Sequence, residues 1–232
     1  MTHAQRGRFI TFEGLDGCGK STQLEKLAHV LRQEGLHVVV TREPGGTETG
    51  EKIRKLLLDS GTQGLSPMAE LALMFASRCQ HIKEVIQPAL AFGSVVLCDR
   101  FTDSTEAYQG GGRKLGSEPV LALHRILCGN LQPDLTILMD SDVAHSVERA
   151  RRRNRSGTER GEGDENRFEQ ESRAFFGRVR NAYVAIAARE PERVVMVDAR
   201  GTADETHAKI VEVVTARLGI KHSAIGTQHS AD

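Results

Sequence analysis

The sequence has no excess charge of either sign: 31 basic residues match 31 acidic ones over 232 positions. Wholesale binding to nucleic acid or to an anionic membrane therefore has no electrostatic basis, and any basic site must be local. There is no apolar run near the 18 residues a membrane helix needs, nor a hydrophobic segment behind the polar start MTHAQRGR to act as a secretion signal. The four cysteines, Cys18, Cys79, Cys98 and Cys128, form no C-x-x-C pair. That spacing argues against a zinc site or a disulfide framework and fits a reducing cytoplasm. The nine histidines contain no H-x-x-x-H pair. No internal repeat is visible.

What is present is a regular alternation. RFITFEG (8–14), HVVVTRE (37–43), SVVLCDR (94–100), DLTILMD (134–140) and RVVMVDA (193–199) read as strands, several of them nearly continuous Val, Ile and Leu. Helical periodicity occupies segments between and after them: 20–34, 68–91, 143–153, 167–189 and 204–218. Strand–helix alternation of this kind predicts a five-stranded parallel sheet with helices on both faces. With 39% hydrophobic residues the chain can bury a core, and its length fits a single domain over 1–232. One stretch breaks the pattern: RRRNRSGTERGEGDEN (151–166) has no apolar residue and reads as a solvated loop or a lid. The small, polar tail 219–232 is expected to fray.

The motif that carries chemistry is Gly14-x-x-x-x-Gly19-Lys20-Ser21, set between a predicted strand and a predicted helix. In such a P-loop, backbone N–H groups curl around a phosphate and the helix start adds partial positive charge. The cradle here comprises Gly14, Leu15, Asp16, Gly17, Cys18, Gly19, Lys20, Ser21 and Thr22. Lys20 can reach the β- and γ-phosphates, and the Ser21 hydroxyl can take a place on Mg²⁺, so a purine triphosphate and Mg²⁺ are the expected ligands. No N-K-x-D base-selection tetrapeptide occurs, which argues against a guanine-nucleotide switch, and the chain is short for a remodelling ATPase. A small phosphoryl-transfer enzyme remains, and it needs a second site lined with arginines. TREPGGT (41–47) and CDRFTDS (98–104) supply candidates at predicted strand ends, ASRCQH (76–81) carries Arg78 inside a predicted helix, and AYQGGGR (107–113) follows.

Taken in one order, EGLDGCGKST, TREPGGT and DR-x-x-x-S-x-x-AYQGGGR resemble the thymidylate kinase family over about residues 9–218. The resemblance implies a P-loop nucleoside monophosphate kinase fold with a mobile lid at about 151–166. It also implies transfer of a phosphoryl group from ATP to dTMP and, by family habit, a homodimer. Another pyrimidine monophosphate kinase, or a P-loop regulator without turnover, stands as the alternative. Carried over residue by residue, Arg42, Arg54 and Arg100 should surround the acceptor phosphate as planar forks. Arg78 should reach the thymine edge; Ser104, Thr105 and Gln109 should help hold the nucleotide, and Tyr108 should pack near the sugar. Asp99 should polarise the Mg²⁺ water shell together with Ser21. The family commonly stacks an aromatic ring on thymine four residues before the base-reading arginine. Here that position is Met74 and the ring, Phe75, sits three residues before, so either Phe75 reaches the base or the Met74 thioether does. Phe75 is the assignment from sequence.

The P-loop itself raises a charge question, because it contains an acid, Asp16, and a single cation. Such families place a further basic residue either in the loop or in a lid. Gly17 occupies the loop position, so the lid must supply it, with Arg153 and Arg155 as the catalytic candidates. An added arginine of this type typically contributes ~10³–10⁵-fold in rate. Asp16 repels phosphate, so its expected partner is neutral, and the resemblance points to the 3′-hydroxyl of the acceptor sugar.

Overall fold

Five runs of β-branched and large apolar residues become five parallel strands in a computed structural model, which describes residues 6–62, 64–159 and 167–219 and, for 153–159, the backbone alone. Strands β1 (Phe9–Glu13), β2 (Val38–Arg42), β3 (Val95–Asp99), β4 (Leu135–Asp140) and β5 (Val194–Asp198) lie in the order β2-β3-β1-β4-β5. Each matches its expected segment to within one residue at either end. The central strand β1 is buried at every position, as a strand covered on both faces must be. Its polar Thr11 is satisfied by the Thr136 hydroxyl of β4 at 2.8 Å. Side chains alternate across the sheet: Ile10 and Phe12 pack under α1 (Lys20–Gln33) and α9 (Ala203–Leu218), while Phe9 joins the opposite core.

The remaining helices are α2 (Glu48–Leu58), α3 (Pro67–His81), α4 (Gln87–Ala91), α5 (Thr102–Thr105), α6 (Ser117–Cys128), α7 (Val143–Glu159) and α8 (Arg173–Arg189). A π-helical stretch, Ile82–Ile86, joins α3 to α4, so the rod expected over 68–91 exists but carries a widened turn. A second π stretch, Glu106–Gly112, follows α5. Helices α2 and α6 and the helical run from Thr102 to Gly112 were not among the periodic segments. In α2 only Gly50 and Leu57 are buried, too few to print an apolar stripe. The helix expected from Arg167 begins instead at Arg173, where the Ser172 hydroxyl accepts from Phe175 N–H and caps it. In the other direction α7 runs six residues beyond Arg153, to Glu159, so the apolar-free stretch begins as helix and not as loop. Its remainder, 160–166, lies outside the described residues, as do 220–232 and the side chains of Arg153 and Arg155.

The register levels the carboxyl ends of the strands: Phe12 of β1 and Arg42 of β2 both stand opposite Asp99 of β3. From β1 the chain goes to β2 on one side; from β3 it crosses over β1 to β4 on the other. That reversal of direction is where open α/β sheets form their ligand crevice.

Candidate active site

The P-loop leaves β1 and ends in α1 by way of left-handed glycines, Gly14 (φ 130°), Gly17 (φ 81°) and Gly19 (φ 99°). Gly17 is forced twice over. Besides its φ, a Cβ there would lie 2.2 Å from the carbonyl oxygen of Ser146, because α7 packs directly against the loop. Helix α1 has no side-chain cap at Gly19, whereas α2, α3, α8 and α9 are all capped by a Ser or Thr hydroxyl. Its first N–H groups therefore remain available to an anion. The Lys20 ammonium is held over the loop by the carbonyls of Leu15 (2.9 Å) and Gly14 (3.2 Å). Ser21 Oγ donates to Asp99 Oδ2 at 2.8 Å, while Asp99 Oδ1 is buried without a hydrogen-bond partner. A cavity of about 560 Å³ lies over these groups, lined by Lys20, Ser21, Thr22, Arg42, Asp99 and Arg149 among others.

A second, smaller cavity of about 130 Å³ opens beside it, lined by Met74, Arg78, Thr105, Tyr108, Gln109 and Phe168 among others. Arg78, on α3, is buried, and three of its donor positions are visible. Nε donates to Glu43 Oε2 at 2.6 Å, and Nη2 to Thr105 Oγ1 at 2.8 Å and to Phe101 O at 3.2 Å. Nη1 is buried with no partner. Gln109 donates from Nε2 to Glu70, and its Oε1 is likewise buried and unpartnered. Unsatisfied buried polar atoms are costly, so an unpaired donor and an unpaired acceptor on the wall of one cavity mark it as a place for a polar ligand.

The two cavities share a wall made by Asp16, Glu43, Arg54 and Arg100. Arg100 sits in the left-handed region (φ 70°), unusual for a side chain of its size. Its guanidinium donates to Asp16 Oδ1 at 2.7 Å, to Ser104 Oγ at 2.9 Å and to Gly14 O at 3.1 Å. Tyr108 OH donates to the other Asp16 oxygen at 3.0 Å. Burial alone would raise the Asp16 carboxyl, but the charges of Arg100 and Lys20 and these hydrogen bonds outweigh it and hold the group well below the usual carboxylate range. Behind the wall Glu13 is fully buried and accepts from Phe101 N–H (2.7 Å), Tyr183 OH (3.0 Å) and the Ser104 hydroxyl. Burial, with the negative charge of Asp103, pushes Glu13 up to about 7.

Most residues expected from sequence are thus gathered at one edge of the sheet, and three expectations change. Phe75 does not line the base-sized cavity: it is fully buried in the core of α3, α6 and β3, beside His124, and Met74 takes the cavity wall. The cavity's aromatic rings are Phe101, Tyr108 and Phe168, the last from the turn before α8. Asp16 is not reserved for a neutral partner, since it already holds Arg100. Arg42 borders the P-loop cavity alone and pairs with Glu51 at 3.0 Å, while Arg54 and Arg100 border both. Leu15 and Cys18 belong to the loop through their backbone, with side chains in the core. Of the basic run, Arg151 is tied to Glu169 O at 2.9 Å and Arg152 to Glu148 at 3.3 Å. The guanidinium that does border the P-loop cavity is Arg149, one turn before Arg153. Glu13, Glu43, Glu70 and Tyr183 had no assignment from sequence; they act through neighbours, and no local pattern marks such roles.

The donor set fits a hydrated Mg²⁺, which usually takes one or two carboxylates and phosphate oxygens and keeps several waters. Ser21 and Asp99 supply a hydroxyl and a carboxylate with one oxygen free. Among the described residues no cluster of three His, Cys, Asp or Glu forms a self-sufficient metal cage, and no helix is long and apolar enough to cross a membrane.

Comparison with known proteins agrees with this geometry. The family described as thymidylate kinase matches residues 12–210. A thymidylate kinase from Trichlorobacter lovleyi is 48% identical over 214 residues, covering 91% of this chain and 99% of that protein. One from Geobacter sulfurreducens is 47% identical over 212 residues, covering 91% and 98%. The crystal structure of thymidylate kinase from Ehrlichia chaffeensis superposes with a TM-score of 0.70 at 32% identity, covering 90% of this chain and 99% of that one. With a family match over most of its length and relatives of nearly equal size, the chain belongs to the thymidylate kinase family.

Proposed function

We propose that the protein transfers the γ-phosphoryl group of ATP to dTMP, giving ADP and dTDP. The observation that carries this reading is the shared wall. A P-loop cavity of a size for nucleotide phosphates and a narrower, base-sized cavity meet at Asp16, Glu43, Arg54 and Arg100. In this reading a phosphate oxygen of dTMP attacks the γ-phosphorus in line as the bond to the β–γ bridging oxygen breaks, with no covalent enzyme intermediate. The protein's part is positioning and charge. The loop N–H groups and Lys20 hold the donor phosphates; Arg54 and Arg100 hold the acceptor phosphate; Arg149 and the lid arginines Arg153 and Arg155 cover the transferring group. Ser21 and Asp99 would hold Mg²⁺, which would offset negative charge on the phosphate oxygens.

In the base-sized cavity the unpaired Arg78 Nη1 donor is complementary to thymine O4, and the unpaired Gln109 Oε1 acceptor to its N3–H. Met74 and Phe168 line the base, and Ser104, Thr105 and Tyr108 fix the groups around it. The same reading carries a cytoplasmic homodimer, for which exposed Ile126 and Leu127 on α6 offer apolar contact area.

A coupled assay of ADP release with ATP and Mg²⁺, run across dTMP, dUMP, CMP and UMP, tests the assignment. Turnover should be fastest with dTMP and should collapse when EDTA removes the metal. Equal or faster turnover with CMP or UMP would overturn the choice of acceptor.

A further inference from the structure

We propose that Glu70 is a positioning residue for base selection: it fixes which end of the Gln109 side-chain amide faces the base, and so favours thymine over cytosine. The inference rests on the reading that the acceptor base enters the cavity beside Met74, Arg78 and Gln109.

The two groups that meet the base differ in one chemical respect. A guanidinium has only donors, so Arg78 Nη1 can complement a carbonyl and nothing else. A glutamine amide can present either a donor or an acceptor, and its selectivity is undefined until something fixes its orientation. Glu70, on α3, does this. It is fully buried, and Oε1 accepts from Gln109 Nε2 at 2.8 Å and from Arg113 Nε at 3.1 Å. Oε2 accepts from Arg113 Nη2 at 3.1 Å and pairs with Arg167 Nη2 at 2.8 Å. Set between two guanidiniums, Glu70 is a carboxylate and can only accept. Turning Gln109 over would press its carbonyl oxygen against that carboxylate in a buried site, so the NH₂ end must face Glu70.

The consequence is that Gln109, which lines the cavity, keeps Oε1 as its unpartnered end. A fixed acceptor suits N3–H of thymine or uracil. Cytosine has a lone pair at N3, so two acceptors would face each other there, as two donors would at its 4-amino group opposite Arg78. A site built to pair a ligand group discriminates strongly against an analogue lacking it, because its own buried atoms are left unpaired.

Glu70 also anchors Arg113 and Arg167, so the test must separate selectivity from folding. By calorimetry, the native protein should bind dTMP about tenfold more tightly than the 2′-deoxyribonucleoside 5′-monophosphate of 3-methyl-4-pyridone, which keeps the carbonyl opposite Arg78 but has C–H in place of N3–H and of the 2-carbonyl, as expected for one hydrogen bond. In Glu70→Gln the neutral amide lets Gln109 turn. The preference should fall below about threefold and dTMP should bind more weakly, with the ATP Kd unchanged. A Glu70→Gln protein that keeps the tenfold preference overturns the positioning role. A native protein with no preference overturns the base placement beneath it, and the proposal with it. A second measurement needs no variant. In the ligand-free native protein, the Gln109 Nε2 protons should exchange slowly with solvent and stay slow with dTMP. Fast exchange that slows only on adding dTMP would show that the NH₂ faces the cavity, and would sink the proposal.

Discussion

Replacing Arg78 with lysine should separate base recognition from the stability of the site. The arginine is 2% exposed, lines the base-sized cavity, donates to Glu43 and to Thr105 with the Phe101 carbonyl, and keeps Nη1 buried without a partner. A lysine ammonium can keep the contact with Glu43, so that buried carboxylate is not stranded, a loss that costs roughly 3–5 kcal/mol. It cannot also occupy the Nη1 position, because it is a point donor and not a fork. A hydrogen bond from a charged donor contributes about 1.5–3 kcal/mol, so dTMP should bind about 10- to 150-fold more weakly. The lost bonds to Thr105 and Phe101 O cost about 2 kcal/mol of stability, which for a chain of this size lowers Tm by roughly 4–8 °C. Arg78 borders the base-sized cavity and not the P-loop cavity, so the ATP Kd should stay within about twofold. In the proposed arrangement the base lies away from the transferring phosphoryl group and is held alike in ground and transition states. KM for dTMP should therefore rise with little change in kcat. Calorimetry with each nucleotide alone, followed by steady-state kinetics, reads all three quantities. A folded Arg78→Lys protein that binds dTMP within about threefold of the native value would refute the assignment. A parallel loss of ATP affinity would also refute it.

Arg149→Ala should lower kcat by about 10²-fold or more, because a cation over the transferring group acts mainly in the transition state; Arg152→Ala, on an exposed side chain paired with Glu148 and outside the lining of the P-loop cavity, should not. Equal kcat values in the two variants would move the catalytic charge elsewhere. Glu13 gives a pH signature. Its folded-state pKa of about 7 lies above its ordinary 4.5, so the native state binds that proton more tightly than the unfolded chain. Its contribution to stability is therefore present below about pH 4.5 and is lost as pH rises through 7. Glu13→Gln should remove this fall, flattening the change in urea midpoint between pH 5 and 8. Asp16, held low, has the opposite sign: its contribution is fully present above its ordinary 3.8 and is lost only as pH falls below that, outside this window. Identical slopes for native and Glu13→Gln proteins would show that Glu13 does not titrate in this range.

How much of this was legible in the sequence depended on whether the signal was local. Strands buried on both faces print continuous apolar runs, and the P-loop is a contiguous pattern, so sheet and cradle were readable directly. The choice between Met74 and Phe75 was not, because residues three and four before Arg78 share its helix face. Packing decides it. Leu71, Phe75, Ile82 and Ile86 are spaced four, seven and four residues apart and form the stripe that enters the core; Met74 lies at the stripe's edge, toward the cavity, and Arg78, within the stripe, stacks on Phe75 at 4.8 Å. Arg149 was hidden for a related reason. The arginine-rich run drew attention to 151–160, but what sets α7 over the phosphates is Ser146 and Ala150, both buried, whose backbone touches Gly17. Arg149 lies at the margin of that contact, and the Arg153 backbone is one turn further on.

The zero net charge and the basic site are two sides of one construction. Three of the arginines that line the two cavities are held by carboxylates: Arg100 by Asp16, Arg78 by Glu43, and Arg42 by Glu51. Unpaired arginines crowded at one sheet edge would repel each other, and their long side chains would have to be ordered when the substrate arrives. Pairing each with an acid removes the repulsion and fixes the fork beforehand, while leaving further guanidinium donors, such as Arg78 Nη1, for the ligand. The acid in the phosphate loop is thus compatible with polyphosphate because its charge is already matched by Arg100, which it holds at the boundary between the two substrates. Removing Asp16 would leave Arg100 as cationic as before but free to leave that boundary, so the lost function would be orientation and not charge.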